Sequence, residues 1–150
     1  MTKIIKGNRV IEPTPASLTS LGGALLTLVG SPSPPIQFAA SDATTALTAS
    51  TPAVVIYAPN AMTITEVFCS LGTAQASGSI FTVDIKKNGT TILSTLVTID
   101  NTETTSLTAA TQPVISVTSL AKGDAITCQI TQIGNGSAKQ LAVTINGTRA

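Results

Sequence analysis

From about Thr51 to the C-terminus, apolar residues recur at every second position in short runs separated by turn-forming residues. A period of two is the spacing of a strand with one buried face, and several such runs in series point to a sandwich or barrel. Ala53 to Ala58 is a continuous apolar run, and the turn pair Pro59-Asn60 follows. Met62 to Ser70 comes next, with a phase shift near Glu66 that predicts a bulge. Phe81, Val83 and Ile85 alternate with Thr82, Asp84 and Lys86. Asn88-Gly89 then supplies the residues a tight hairpin requires, before Leu93, Thr95, Val97 and Ile99. Val114 to Thr118 is a short strand, Lys122-Gly123-Asp124 a turn, and Ile126, Cys128 and Ile130 face inward from the strand after it. Gly134-Asn135-Gly136 reads as another hairpin turn, and the last strand carries Leu141, Val143 and Ile145 and ends at Asn146-Gly147. Seven or eight strands with no amphipathic helix among them predict an all-β fold, an antiparallel β-sandwich over residues 51–150.

The first fifty residues differ in kind. Pro13, Pro15, Pro32, Pro34 and Pro35 break any long element, and Ala, Ser and Thr fill the gaps, so residues 1–50 read as an extended N-terminal arm for docking and assembly. Two conformations suit Ala16 to Val29: a short helix capped by Thr14 ahead of Pro15, or an extended run along a neighbour. Fixing such a segment costs roughly 1–2 kcal/mol of backbone entropy per residue, which predicts that a partner surface orders it.

A chain of 150 residues supports one ordinary core plus a tail. Charged residues make up 10% and the net charge is +1, so no basic footprint for nucleic acid or an anionic membrane is present. The mean hydropathy of +0.40 comes from Ala, Val, Ile and Leu, and predicts that much of the surface is covered in contacts. Roughly one position in six is threonine, whose branched, hydroxyl-bearing side chain suits a half-buried pleated surface. The start, Met1 to Lys6, has no apolar stretch after its basic residues and does not read as a secretory leader. Leu21 to Val29 is too short to span a bilayer. Cys69 and Cys128 fall at apolar positions of strands and read as reduced core residues.

The chain has no histidine, which removes the usual general base at neutral pH and the commonest neutral metal ligand. Paired carboxylates would leave glycosidase chemistry open, yet Glu66, Asp84, Asp100, Glu103 and Asp124 lie in no diagnostic motif and read as solvated or turn-capping groups. Asp100, Asn101 and Glu103 offer the loop oxygen ligands a calcium ion uses, but do not form an EF-hand loop. The triplets at Asn88, Asn135 and Asn146 match the glycosylation pattern, and turn chemistry explains them better. Among the few aromatics, Phe68 and Phe81 read as core, and Phe38 and Tyr57 are left unplaced. The expectation is a protein without enzymatic activity, cofactor or metal.

The stretch Phe81 to Ser94, with Leu120 to Ile126 and Leu141 to Gly147, resembles the small jelly-roll domains of tailed-phage virion proteins, over roughly residues 52 to 148. The resemblance implies a jelly-roll-like sandwich that packs as a homotrimer and an arm that docks on the virion. It also implies synthesis in the host cytoplasm and a final place on the capsid surface. The favoured role is a capsid decoration (cement) protein whose partners are the major capsid protein and copies of itself, with neither nucleic acid nor membrane involved. A head or tail fibre domain that binds a host receptor or carbohydrate is the alternative. Ile4, Ile5, Val10, Ile11, Leu25 and Leu28 are the candidate anchors of the arm.

Overall fold

A computed structural model describes residues 4–6, 9–11, 31–49 and 54–150. In chain order the strands are β1 (Ile4–Lys6), β2 (Arg9–Ile11), β3 (Ile36–Ala39), β4 (Val54–Tyr57), β5 (Met62–Thr73), β6 (Phe81–Lys87) and β7 (Thr90–Thr91). They continue with β8 (Leu93–Thr95), β9 (Val97–Ile99), β10 (Val114–Ile115), β11 (Ser119–Leu120), β12 (Ala125–Gln132) and β13 (Lys139–Arg149). One 3-10 turn, Ser106–Thr108, is capped by the Thr105 hydroxyl, which accepts from the Leu107 N–H. The fold is all-β, as the period-two pattern predicts.

Two sheets face each other across one core. The first has the order β11-β5-β13-β3, and the second β4-β12-β6-β7, with β9 also paired to β6. When the broken run β7 to β9 is taken as one strand, and the β1–β2 pair and the short β10, which pairs with β8 alone, are set aside, the remaining strands fall in eight positions, the first beside the last and the second beside the last but one. That is the order of a jelly roll, two Greek keys wrapped into a closed pair of sheets. Its inward rows are those of the alternating pattern: Met62, Ile64, Val67, Cys69 and Leu71 from β5, Phe81, Val83 and Ile85 from β6, Ile126, Cys128 and Ile130 from β12, and Leu141, Val143 and Ile145 from β13. All are buried.

The phase shift near Glu66 is a bulge. Asn146 registers with Glu66 but Gly147 with Ile64, so β5 carries one extra residue there and Thr65 and Glu66 are both exposed. The Asn88-Gly89 hairpin forms as expected, with positive φ at both residues (49° and 85°) between the paired β6 and β7.

Three readings of where strands begin, turn and end need correction. The sandwich starts well before residue 51: β3 pairs along β13 from Ile36↔Ile145 to Ala39↔Ala142, and Ile36, Ala40 and Leu47 belong to the core. Residues 31–49 are therefore part of the domain, because the last strand needs a neighbour on its second edge. Gly134-Asn135-Gly136 is not a hairpin turn, since β12 and β13 lie in different sheets and the segment crosses between them. Asn146-Gly147 does not end the last strand, which runs on to Arg149. Gly147 sits at the bulge, where a Cβ would lie 2.4 Å from the Thr63 carbonyl oxygen, so only glycine lets the backbones approach.

Candidate interaction surfaces

Of the six arm residues, four lie on the two-stranded ribbon of β1 and β2, where Ile4 registers with Ile11, Ile5 with Val10 and Lys6 with Arg9. Leu25 and Leu28, and the Ala16 to Val29 segment with its two conformations, lie outside the described residues. The Gly7-Asn8 dipeptide between the ribbon's strands is a hairpin signal that an emphasis on prolines passed over. Among the described residues the ribbon forms a sheet of its own.

The second exposed feature was not singled out from the sequence. Strand β4 is the edge of the second sheet, and it pairs with β12 alone among the described strands. Val54 and Ile56 point inward and pack on the core, whereas Val55 is 54% and Tyr57 67% exposed. The ladder also fixes the backbone. Ala58 N–H donates to the Asp124 carbonyl (2.9 Å) and Gly123 N–H to the Ala58 carbonyl (2.8 Å), so even-numbered residues bond toward β12. By alternation, the N–H and C=O groups of Val55 and Tyr57 point off the sheet. The same two residues thus present, along one edge, apolar side chains and backbone groups with no partner among the described residues.

The outer face of the first sheet holds an open depression of about 460 Å³ around Phe68, with Gln37, Ala39, Ser70, Ala142 and Thr144 at its sides. Gln37 donates to the Thr144 hydroxyl (3.3 Å). Phe68 alternates outward and is half-buried, a correction to its reading as core; Phe81 is fully buried and Phe38 packs partly against the core. Tyr57 and Phe68 sit on the outer faces of opposite sheets, so they do not build one stacking platform for a sugar ring.

Each described carboxylate is engaged locally. Asp84 faces outward yet is 7% exposed, because the Thr91 hydroxyl donates to it (2.5 Å) and Lys86 lies 3.8 Å away; it is not the solvated group expected of it. Asp124 accepts from the Ala121 N–H (2.8 Å) and the Asn88 amide (2.8 Å) and pairs with Lys87 (3.1 Å). The backbone bond from Ala121 is the main reason its carboxyl is held below the usual range. Asp100 accepts from Ala110 N–H, Glu103 from the Thr108 hydroxyl and Glu66 from the Asn146 amide. Among the described residues no group of three or more Cys, Asp or Glu gathers where a metal ion would bind.

The thiols are buried: desolvation pushes Cys69 well above its ordinary value and Cys128 up to about 12. At one end of the sandwich, Gln75 is buried and its amide ties three loops. It donates to the Ser79 carbonyl (2.6 Å) and the Asn101 side-chain oxygen (2.7 Å), and accepts from the Gly134 N–H. Among the described residues no helix is long and apolar enough to cross a membrane. Comparison with protein-family models, with curated proteins and with solved structures finds no match to this chain.

Proposed function

We propose that the protein is a virion structural protein, a capsid decoration (cement) protein that sits on the outer capsid surface as a homotrimer, contacts the major capsid protein and stabilises the shell. The observation that carries this reading is the jelly-roll order that starts at Ile36, so that residues 1–30, a stretch broken by Pro13 and Pro15, precede the strands of the sandwich in sequence. The local engagement of the carboxylates supports an assembly role over chemistry, because each described acid closes a turn, a strand or a loop. In this role, modest contacts repeated by symmetry resist internal pressure through avidity.

The test is attachment of purified protein to capsids that lack it. The full chain binds and raises the temperature at which the particles release their genome. A chain lacking residues 1–30 keeps the sandwich, by far-ultraviolet circular dichroism, and loses attachment. Attachment at full strength without residues 1–30 would refute docking by this segment, and binding to a glycan array with no affinity for capsids would move the protein to the fibre class.

A further inference from the structure

Two features of this chain are incomplete in complementary ways. An isolated two-stranded ribbon is marginally stable at best in water, and three residues per strand is short even for a ribbon. Strands β1 and β2 nevertheless hold four large aliphatic residues, Ile4, Ile5, Val10 and Ile11, in a paired register. On the sandwich, β4 presents an edge of the kind that folded proteins normally charge, shorten or cover. Its residues 53–58 read Ala-Val-Val-Ile-Tyr-Ala, without a charge.

We infer that the β1–β2 ribbon of one copy adds to the β4 edge of a neighbouring copy, extending that neighbour's second sheet and covering Val55 and Tyr57. Strand addition of this kind takes its affinity from main-chain hydrogen bonds and its specificity from alternate side chains. The acceptor's share is in place: the N–H and C=O groups of Val55 and Tyr57 point outward, and their side chains stand on the face that a ribbon's apolar residues would meet. Length agrees as well. Pro52 and Pro59 bracket the edge and, lacking N–H groups, confine pairing to the six residues between them, which suits three-residue strands.

Reach allows a neighbour. The 19 residues from 12 to 30 span at most roughly 65 Å, against about 40 Å for the 12-residue β5, so the stretch is long enough to carry the ribbon past its own sandwich to another copy. A ribbon given to the next copy's edge is a head-to-tail contact, and such contacts close into a ring when the rotation allows. The count of three copies rests on the decoration-protein reading above; the exchange itself does not. Ribbon exchange would leave residues 12–30, with Leu25 and Leu28, for the shell.

The test uses full-length chains in particle-free solution, with mass measured by sedimentation equilibrium. The edge variant is Val55→Lys with Tyr57→Lys, and the ribbon variant is Ile5→Pro with Val10→Pro. The unaltered chain has the mass of three chains of 15.1 kDa, and each variant alone falls threefold to one. Mixed in equal amounts, the two variants form a one-to-one dimer, because one retains the ribbon and the other the edge. A ribbon variant that stays associated would show that copies pair β4 to β4 about a twofold axis. An unaltered chain that is monomeric would show that the ribbon closes on its own sandwich or on nothing. Either result overturns the exchange, as does a mixture that stays monomeric. An unaltered assembly of two or four chains with a positive mixing result keeps the exchange and removes the trimer. Should the edge variant lose its strand signal in circular dichroism, Tyr57→Arg alone takes its place.

Discussion

Placing β3 inside the domain makes Ile36 a load on the whole fold, and a single substitution measures it. Ile36 is 6% exposed, registers with Ile145 on β13 and closes one side of the first sheet. Replacing a buried Ile by Ala removes its transfer free energy and leaves a cavity, at a cost of about 2–4 kcal/mol. Leu47, equally buried and bonded through its N–H to the Ala138 carbonyl (2.8 Å), carries a similar cost. The double variant therefore loses about 4–8 kcal/mol, against a typical net stability of about 5–15 kcal/mol, and sits near the unfolding threshold. For a chain of this length each kcal/mol moves the melting temperature by about 2–4 °C, so Ile36→Ala alone lowers it by about 4–16 °C. Urea unfolding followed by far-ultraviolet circular dichroism is the right assay, because the chain has no tryptophan and its single tyrosine, Tyr57, is largely exposed. A shift below about 1 kcal/mol for Ile36→Ala would show that β3 is an accessory and that the domain does begin near residue 51.

Three further outcomes follow from the packing. Thr127 is buried and its hydroxyl has no hydrogen-bond partner among the described residues, so Thr127→Val raises stability by about 1 kcal/mol in the same urea assay, and a loss of similar size would mean the hydroxyl is satisfied. Cys69 and Cys128 resist a thiol reagent at pH 8 until urea unfolds the chain and then react together; fast stoichiometric labelling of the native protein would contradict their burial. Asp42 is lowered to about 2 chiefly by the backbone N–H groups of Thr45 and Thr44, so its contribution is complete above the ordinary value of 3.8 and is lost as pH falls toward 2. The gap between wild type and Asp42→Ala in urea midpoint accordingly narrows from pH 4 to pH 2, and a gap that widens would refute the assignment.

Local pattern carried the strands with clear alternation and a buried side. Phe81, Val83 and Ile85, or Leu141, Val143 and Ile145, tell the inward face at once, and the paired outward residues Thr65 and Glu66 mark the bulge. What local pattern lacks is sheet membership. An Asn-Gly pair at 88 links strands of one sheet, while at 146 it lies inside a strand whose partner crowds the glycine, and nothing in the dipeptide tells the two apart. Strand β3 escaped notice because Ile36 and Phe38 are only two inward residues, directly after Pro34-Pro35. The β4 edge was hidden for a related reason: Ala53 to Ala58 is apolar throughout, and a strand buried on both faces reads the same way as one whose outer face is bare. The ribbon residues stood out by being aliphatic between Lys3, Lys6, Arg9 and Glu12, whereas the outward exposure of Tyr57 and Val55 shows only in the fold.

The position of β13 sets the order in which the first sheet can close. Lys139–Arg149 form an interior strand of that sheet, with β5 on one side and β3 on the other, and Arg149 N–H closes back on the Ser31 carbonyl (2.8 Å). Until β13 docks, β3 and β5 have nothing between them, and the apolar row of β5 from Met62 to Leu71 lacks its in-sheet neighbours Leu141, Val143 and Ile145. Bringing Ile36 against Ile145 is a step of high contact order, so sheet closure comes late in folding and the chain is most open to mispairing before it.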